Sequence, residues 1–238
     1  MPDKSNSSLF LSLIHAIASG DAKATRAILD ATPELARQQA KVGASRQEST
    51  NYFFESIGHY LYVGDTALHM AAAAYYSACV QKLITCGADV KAQNRRGAQP
   101  LHYAADGRSD VKEPMARKQA RTIAALIDAG ADANAVTKDG VAPLHRAVRT
   151  RSAIAVKALL ENGADARLKN KSGSMPLHLA MQTTGASHSG SARAKEQQRL
   201  IVKLLLNHGA RAADKDARGK TVRQCAMKEV LDLFLLDD

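Results

Sequence analysis

Tryptophan is absent from this chain of 238 residues, and aromatic side chains make up only 4% of it. A core without bulky rings has to be filled by smaller groups. Hydrophobic residues still reach 45%, so alanine and leucine must supply most of the interior. They suit closely approaching helices better than sheets of β-branched and aromatic residues, and the expected class is all-α. Cysteine is scarce too: Cys79, Cys86 and Cys225 cannot all pair within one chain. Cys79 and Cys86 stand seven residues apart, which on one helix is about two turns, or roughly 10 Å, beyond disulfide reach. Three reduced thiols fit a cytoplasmic protein.

Apolar runs are short. None approaches the roughly 20 residues needed to cross a bilayer. Leu9–Ala18 resembles a signal-peptide core, but Asp3 accompanies Lys4 before it and His15 interrupts it. A first capping helix is the better reading. A Gly-rich phosphate loop, a nucleophile elbow, an HExxH helix and a paired-cysteine metal site are all missing. No enzymatic activity, cofactor or metal is therefore expected. Acidic residues are outnumbered: the net charge is +10 and the pI near 9.6, which favours acidic partners through long-range attraction. The alanine-rich composition is compatible with a bacterial source.

What the chain does have is internal repetition. Four segments align: Gly64-Asp65-Thr66-Ala67-Leu68-His69, Gly97-Ala98-Gln99-Pro100-Leu101-His102, Gly140-Val141-Ala142-Pro143-Leu144-His145 and Gly173-Ser174-Met175-Pro176-Leu177-His178. A second anchor follows each: Gly87-Ala88-Asp89, Gly130-Ala131-Asp132, Gly163-Ala164-Asp165 and the weaker Gly209-Ala210-Arg211. Leu68 to Leu101 and Leu144 to Leu177 both step by 33. These residues resemble the ankyrin repeat, with its period of about 33 and its T-P-L-H-x-A signature.

The resemblance implies an ankyrin-repeat solenoid of stacked helix-turn-helix units with short β-hairpin-like turns, in one domain over 1–238. Its parts are an N-terminal capping unit at 9–40, a non-repeat insertion at 41–63, repeats at 64–96, 97–139, 140–172 and 173–218, and a C-terminal capping unit at 219–238. The residues of the third repeat explain such a unit. Pro143 suits a first helical turn, and Leu144, Ala147 and Val148 make an apolar stripe behind it. Ile154, Val156, Leu159 and Leu160 supply a second helix. Gly163 ends that helix, and Asp139-Gly140 makes the turn.

Leu101 to Gly130 spans 29 residues and Leu177 to Gly209 spans 32, against 19 in the other two repeats. This places extra residues between the paired helices of the second and fourth repeats, through Gly107–Pro114 and Thr183–Ser191. The latter has a flexible-linker composition. Tyr52–Tyr62, within the non-repeat insertion, holds five of the ten Phe and Tyr residues. Packing is expected there for Phe53, Phe54 and Leu61, while Tyr52, Tyr60 and Tyr62 stay open between packing and contact with a partner. The Leu231–Leu236 run closes the chain.

His69, His102, His145 and His178 invite a metal reading. Each occupies one position of its own repeat, however, and such residues do not converge on a point as ligands must. In the ankyrin family this histidine is structural. Cys79 falls at an apolar position of a second helix. The resemblance further implies a binding face, the concave one, made of hairpin tips and first helices. Carried over, the tips are Arg95-Arg96, Lys138-Asp139, Lys171-Ser172 and Ala217-Arg218. The exposed first-helix positions are Met70, Ala73 and Ala74, then Tyr103 and Asp106, Arg146 and Arg149, and Leu179 and Gln182. Tyr75 and Tyr76 replace the common Gly-His pair, which exposes aromatic area.

Residues 91–172 hold 16 Lys or Arg against 8 Asp or Glu. The expected function is a monomeric, non-catalytic module that binds a protein, one with acidic character, on this basic face. The alternative is a nucleic acid or other polyanion on the same basic repeats. It has less support, because no aromatics interleave the basic residues and no groove-reading motif appears. A plainly solvated basic surface is the third possibility.

Overall fold

The computed structural model describes residues 4–45, 48–107, 113–181 and 191–226. Its contacts divide the chain into two compact units, one of residues 1–104 with 112–132, the other of residues 105–111 with 133–238. Both are built from helix pairs of the ankyrin kind.

In the first unit the pairs are α1 (Lys4–Ser19) with α2 (Ala22–Ala31), α3 (Ala67–Ala73) with α4 (Ser77–Thr85), and α5 (Pro100–Ala105) with α6 (Glu113–Asp128). Phe10, Leu13, Ile14 and Ile17 recur at i, i+3, i+4 and i+7 and are all buried. That stripe seats α1 on α2 and on α3. Asp21 caps α2 by accepting the Ala24 N–H at 2.8 Å. Second helices likewise pack on second helices, α2 on α4 and α4 on α6.

The second unit repeats the scheme with α7 (Pro143–Arg149) and α8 (Ala153–Glu161), then α9 (Pro176–Ala180) and α10 (Ala192–Asn207), and the single turn α11 (Val222–Cys225). Pro143 and Pro176 stand at the start of α7 and α9, where a missing N–H costs nothing. Leu144, Val156, Leu159, Leu177, Ile201 and Leu205 are all at most 1% exposed. Each such side chain contributes about 1.5–3 kcal/mol on burial. Leu231–Leu236 lies outside the described residues.

The extra residues of the second and fourth repeats are not loop alone. The second helices α6 and α10 have 16 residues each, against nine in α4 and α8. In α6, Gln119, Thr122, Ile123 and Leu126 are buried, and in α10 Gln198, Ile201, Val202 and Leu205. This helical spacing extends the second helix instead of ending it. Each long helix carries a buried glutamine eleven residues before its closing glycine, Gly130 or Gly209. The Gln119 amide donates to the Ala104 carbonyl at 2.8 Å, and Gln198 to that of Ala180 at 2.7 Å. A carbonyl left open at the end of a short first helix is thereby satisfied. The rest of both expected insertions, at 108–112 and 182–190, lies outside the described residues.

Insertion 41–63 folds onto the first unit. A two-residue hairpin, β1 (Phe53–Phe54) and β2 (His59–Tyr60), pairs Phe53 with Tyr60 and Phe54 with His59. Alternate residues of a strand face opposite ways. Phe54 is therefore buried, with its ring 5.1 Å from that of His15, while Phe53 is 41% exposed. Phe54 and Leu61 pack as expected; Phe53 does not.

Candidate functional site

Four turns repeat one design. The N–H of Asn94, Thr137, Asn170 and Asp216 donates to the carbonyl of Ala98, Val141, Ser174 and Lys220 at 2.9–3.0 Å. A glycine (Gly97, Gly140, Gly173 or Gly219) takes the left-handed conformation between them, at φ 71–74°. The polar side chain opening each turn accepts amides of the turn itself. Asn94 Oδ1 takes Arg96 and Ala98, and Thr137 Oγ1 takes Asp139 and Val141. Asn170 Oδ1 takes Ser174, and Asp216 Oδ1 takes Arg218 and Lys220. Burial alone would raise the Asp216 carboxyl, but the Lys220 and Arg218 amides outweigh it and hold the group below its usual value. With the backbone satisfied internally, the two residues at each tip are left to face solvent.

Successive tips are tied together. In the second unit the Lys171 N–H donates to Asp139 O at 3.1 Å. A Cβ on Gly140 would stand 2.8 Å from Lys171 N, so only glycine permits this approach. In the first unit the Arg95 N–H donates to Val63 O at 3.0 Å. Val63 closes the insertion, which takes the place of a preceding tip.

Three of the repeated histidines, His69, His145 and His178, each bond a carbonyl of the following repeat within their own unit. Nδ1 of His145 accepts the Ala142 N–H at 3.1 Å, and its Nε2 meets the Ser174 carbonyl at 3.2 Å. His69 joins Thr66 N to Ala98 O, and His178 joins Met175 N to Lys220 O, in the same way. An Nδ1 acceptor with an Nε2–H donor is the neutral imidazole. Burial disfavours a proton on His145 and lowers its pKa from the usual 6.5, against the opposing pull of its carbonyl partners.

The expected contact residues divide sharply. Arg95, Arg96, Lys138, Lys171 and Arg149 are exposed. Neither Lys138 nor Lys171 has an ion-pair partner among the described residues. Arg146 and Asp106 are half-buried and occupy each other, Nη1 to Oδ2 at 2.7 Å, with side chains 15% and 21% exposed. They form a strut of the second unit. Arg149 borders a cavity of about 200 Å³ with Arg151, Leu179 and Gln198.

Several residues expected on the surface are in the core. Tyr103 is 1% exposed, and its hydroxyl donates to both oxygens of Asp65 at 2.8 and 2.9 Å. The same carboxylate accepts Asn94 Nδ2 at 3.0 Å and the Tyr62 N–H at 2.7 Å. Asp65 is wholly buried, so these donors replace its water. Tyr75 takes the left-handed turn position itself, at φ 54°, and turns its ring inward to 1% exposure; the aromatic surface expected there is reduced to half-buried Tyr76. Met70 and Ala73 are buried on α3, which packs on α1 and α4. Ala74 and Leu179 are half-buried, and Gln182 lies outside the described residues.

Cys79 is buried, and desolvation pushes its thiol up to about 12. Such a thiol is a packing group at neutral pH. Among the described residues no three His, Cys, Asp or Glu gather as metal ligands, and no helix is long and apolar enough to cross a membrane.

Two family descriptions match the chain: ankyrin repeats in three copies over residues 13–117, and ankyrin repeats in many copies over residues 126–180. No curated protein matches it.

Proposed function

The chain belongs to the ankyrin-repeat family, whose repeats generally serve as protein–protein interaction modules, and we propose that it holds a protein partner of acidic character on its hairpin tips and first helices. The observation that carries this reading is the construction of the tips. Their turn bonds are made internally, Lys171 N–H is tied to Asp139 O within the second unit and Arg95 N–H to Val63 O within the first, and Arg95, Arg96, Lys138 and Lys171 are exposed, with no carboxylate partner among the described residues. A surface fixed before binding loses little conformational entropy when it docks. Basic groups that are not neutralised internally complement an acidic surface and speed its approach. The module is non-catalytic and works in the cytoplasm.

Affinity purification with quantitative mass spectrometry tests the reading, comparing the native chain with Lys138→Glu/Lys171→Glu. Both lysines are exposed, so unfolding free energy should move by less than about 0.5 kcal/mol. Specific captured proteins should fall at least tenfold. An unchanged set of captured proteins would reject the tips as the docking surface.

Nucleic acid is the second reading, motivated by the net charge alone. A gel-shift titration at low salt checks it, since phosphate binding is strongest there. Absence of a shift removes it.

A further inference from the structure

The first unit carries a built cleft of about 370 Å³ that the repeat pattern does not require. Ser45, Ser49, Tyr60, Tyr62, Arg95 and Arg96 line it. One wall is the insertion, the other a repeat tip. Both guanidiniums lie over the face of the same ring: Cζ of Arg96 is 5.0 Å from the Tyr62 centroid and that of Arg95 is 5.6 Å from it. Tyr62 continues into Tyr60 at 6.1 Å, and Tyr60 into exposed Phe53 at 4.7 Å. Arg95 is braced further by donating Nη2–H to the Ala44 carbonyl at 2.9 Å.

Three features single this place out. Two cations sit side by side with no carboxylate partner among the described residues, although like charges repel. Their stacking on one ring fixes the planar forks in advance, so little is lost when they engage an anion. The aromatic row leading away offers apolar contact to the chain that bears the anion. The size suits one or two side chains of an extended segment, at the lower end of ligand clefts.

We propose that this cleft receives a carboxylate side chain from an extended acidic segment of a partner protein, with Arg95 and Arg96 as the anion fork and Tyr62 as the residue that positions both. The proposal rests on the acidic-partner reading above and gives it one address.

The test uses the full chain, labelled with nitrogen-15, titrated with unlabelled hexaglutamate and followed by amide chemical shifts. Saturable shifts concentrated at Ser45, Ser49, Tyr62, Arg95 and Arg96 are expected. Arg96→Gln should weaken them at least fivefold and Arg95→Gln/Arg96→Gln at least tenfold. Because Arg95 also braces Ala44, the single Arg96 variant keeps the test valid should the double variant disturb the insertion. Lys118→Gln/Lys203→Gln, at exposed positions of the second helices α6 and α10, removes the same amount of charge and should leave the titration unchanged. Equal weakening by that control, shifts spread over all basic tips, or no shifts would each overturn the cleft. So would hexauridylate shifting the same amides at lower concentration, which would make the site one for nucleic acid. Capture of protein partners that survives Arg95→Gln/Arg96→Gln but not Lys138→Glu/Lys171→Glu would reject the cleft while leaving the tips as the docking surface.

Discussion

The tip of the first unit and the tips of the second use the same turn for different ends. Asn94, Thr137 and Asn170 close their turns alike, and Gly97, Gly140 and Gly173 adopt the same conformation. At Arg95-Arg96 the turn is walled by the insertion and stacked on Tyr62. At Lys138 and Lys171 the side chains are exposed, with no ion-pair partner among the described residues. A compact ammonium on a flexible stem suits a solvated surface, whereas a guanidinium suits a stacked, directional one. At Arg95-Arg96 the insertion adds an aromatic wall to the turn.

This contrast can be broken in order of effect. Asp65→Ala should act most strongly, because it strips Tyr103, Asn94 and the Tyr62 amide of one shared buried acceptor. About 3–5 kcal/mol of unfolding free energy should be lost, and the Tyr62 wall should loosen with it. Chemical denaturation of the variant measures the first effect, and amide shifts of residues 41–63 the second. A loss below about 1 kcal/mol would mean that Asp65 does not hold the insertion to the repeat.

Arg146→Ala in the second unit removes the 2.7 Å ion pair with half-buried Asp106. About 1.5–3 kcal/mol is expected, from the worth of a charged hydrogen bond, read from the same denaturation curves. A smaller comparison sets the two kinds of tip against each other directly. Arg96→Gln should cost about 0.5–1 kcal/mol for its contact with the Tyr62 ring, while Lys171→Gln should cost nothing measurable. Equal values would remove the distinction between stacked and bare tips.

The mildest perturbation is acid. His145 has a folded pKa below its unfolded value, so the unfolded chain binds the proton more readily. Its contribution to stability is complete above about pH 6.5 and is lost progressively as pH falls through the folded value. Unfolding measured from pH 8 to 5 should show that decline. His145→Asn, which cannot take up the proton, should flatten it relative to its own stability at pH 8.

Much of the fold was legible because one pattern recurred. The Leu-His and Gly-Ala anchors marked the four helix pairs from α3–α4 to α9–α10. Departures from the pattern were harder to read. Tyr103 looked like an exposed first-helix residue because the repeat register assigns direction without knowing the neighbour. Its true direction is set by Asp65, an acid that the other three repeats replace with Ala98, Val141 and Ser174. Tyr75 looked exposed because it replaces a glycine; it takes the same left-handed turn conformation as Arg151, and the core accepts its ring. The paired Gln119 and Gln198 were visible in register but carried no meaning until the short first helices showed which carbonyls needed a donor. The cleft depended on where the insertion returned, and no local pattern in 41–63 specifies that.

Amide hydrogen exchange, on the chain alone and bound to a captured partner, bears most directly on the proposal that the tips and first helices form the docking face. Binding should slow exchange at Arg95-Arg96, Lys138-Asp139 and Lys171-Ser172 and leave the outer turns of α4, α8 and α10 unchanged. Slowing confined to those second helices, with the tips exchanging as before, would contradict it.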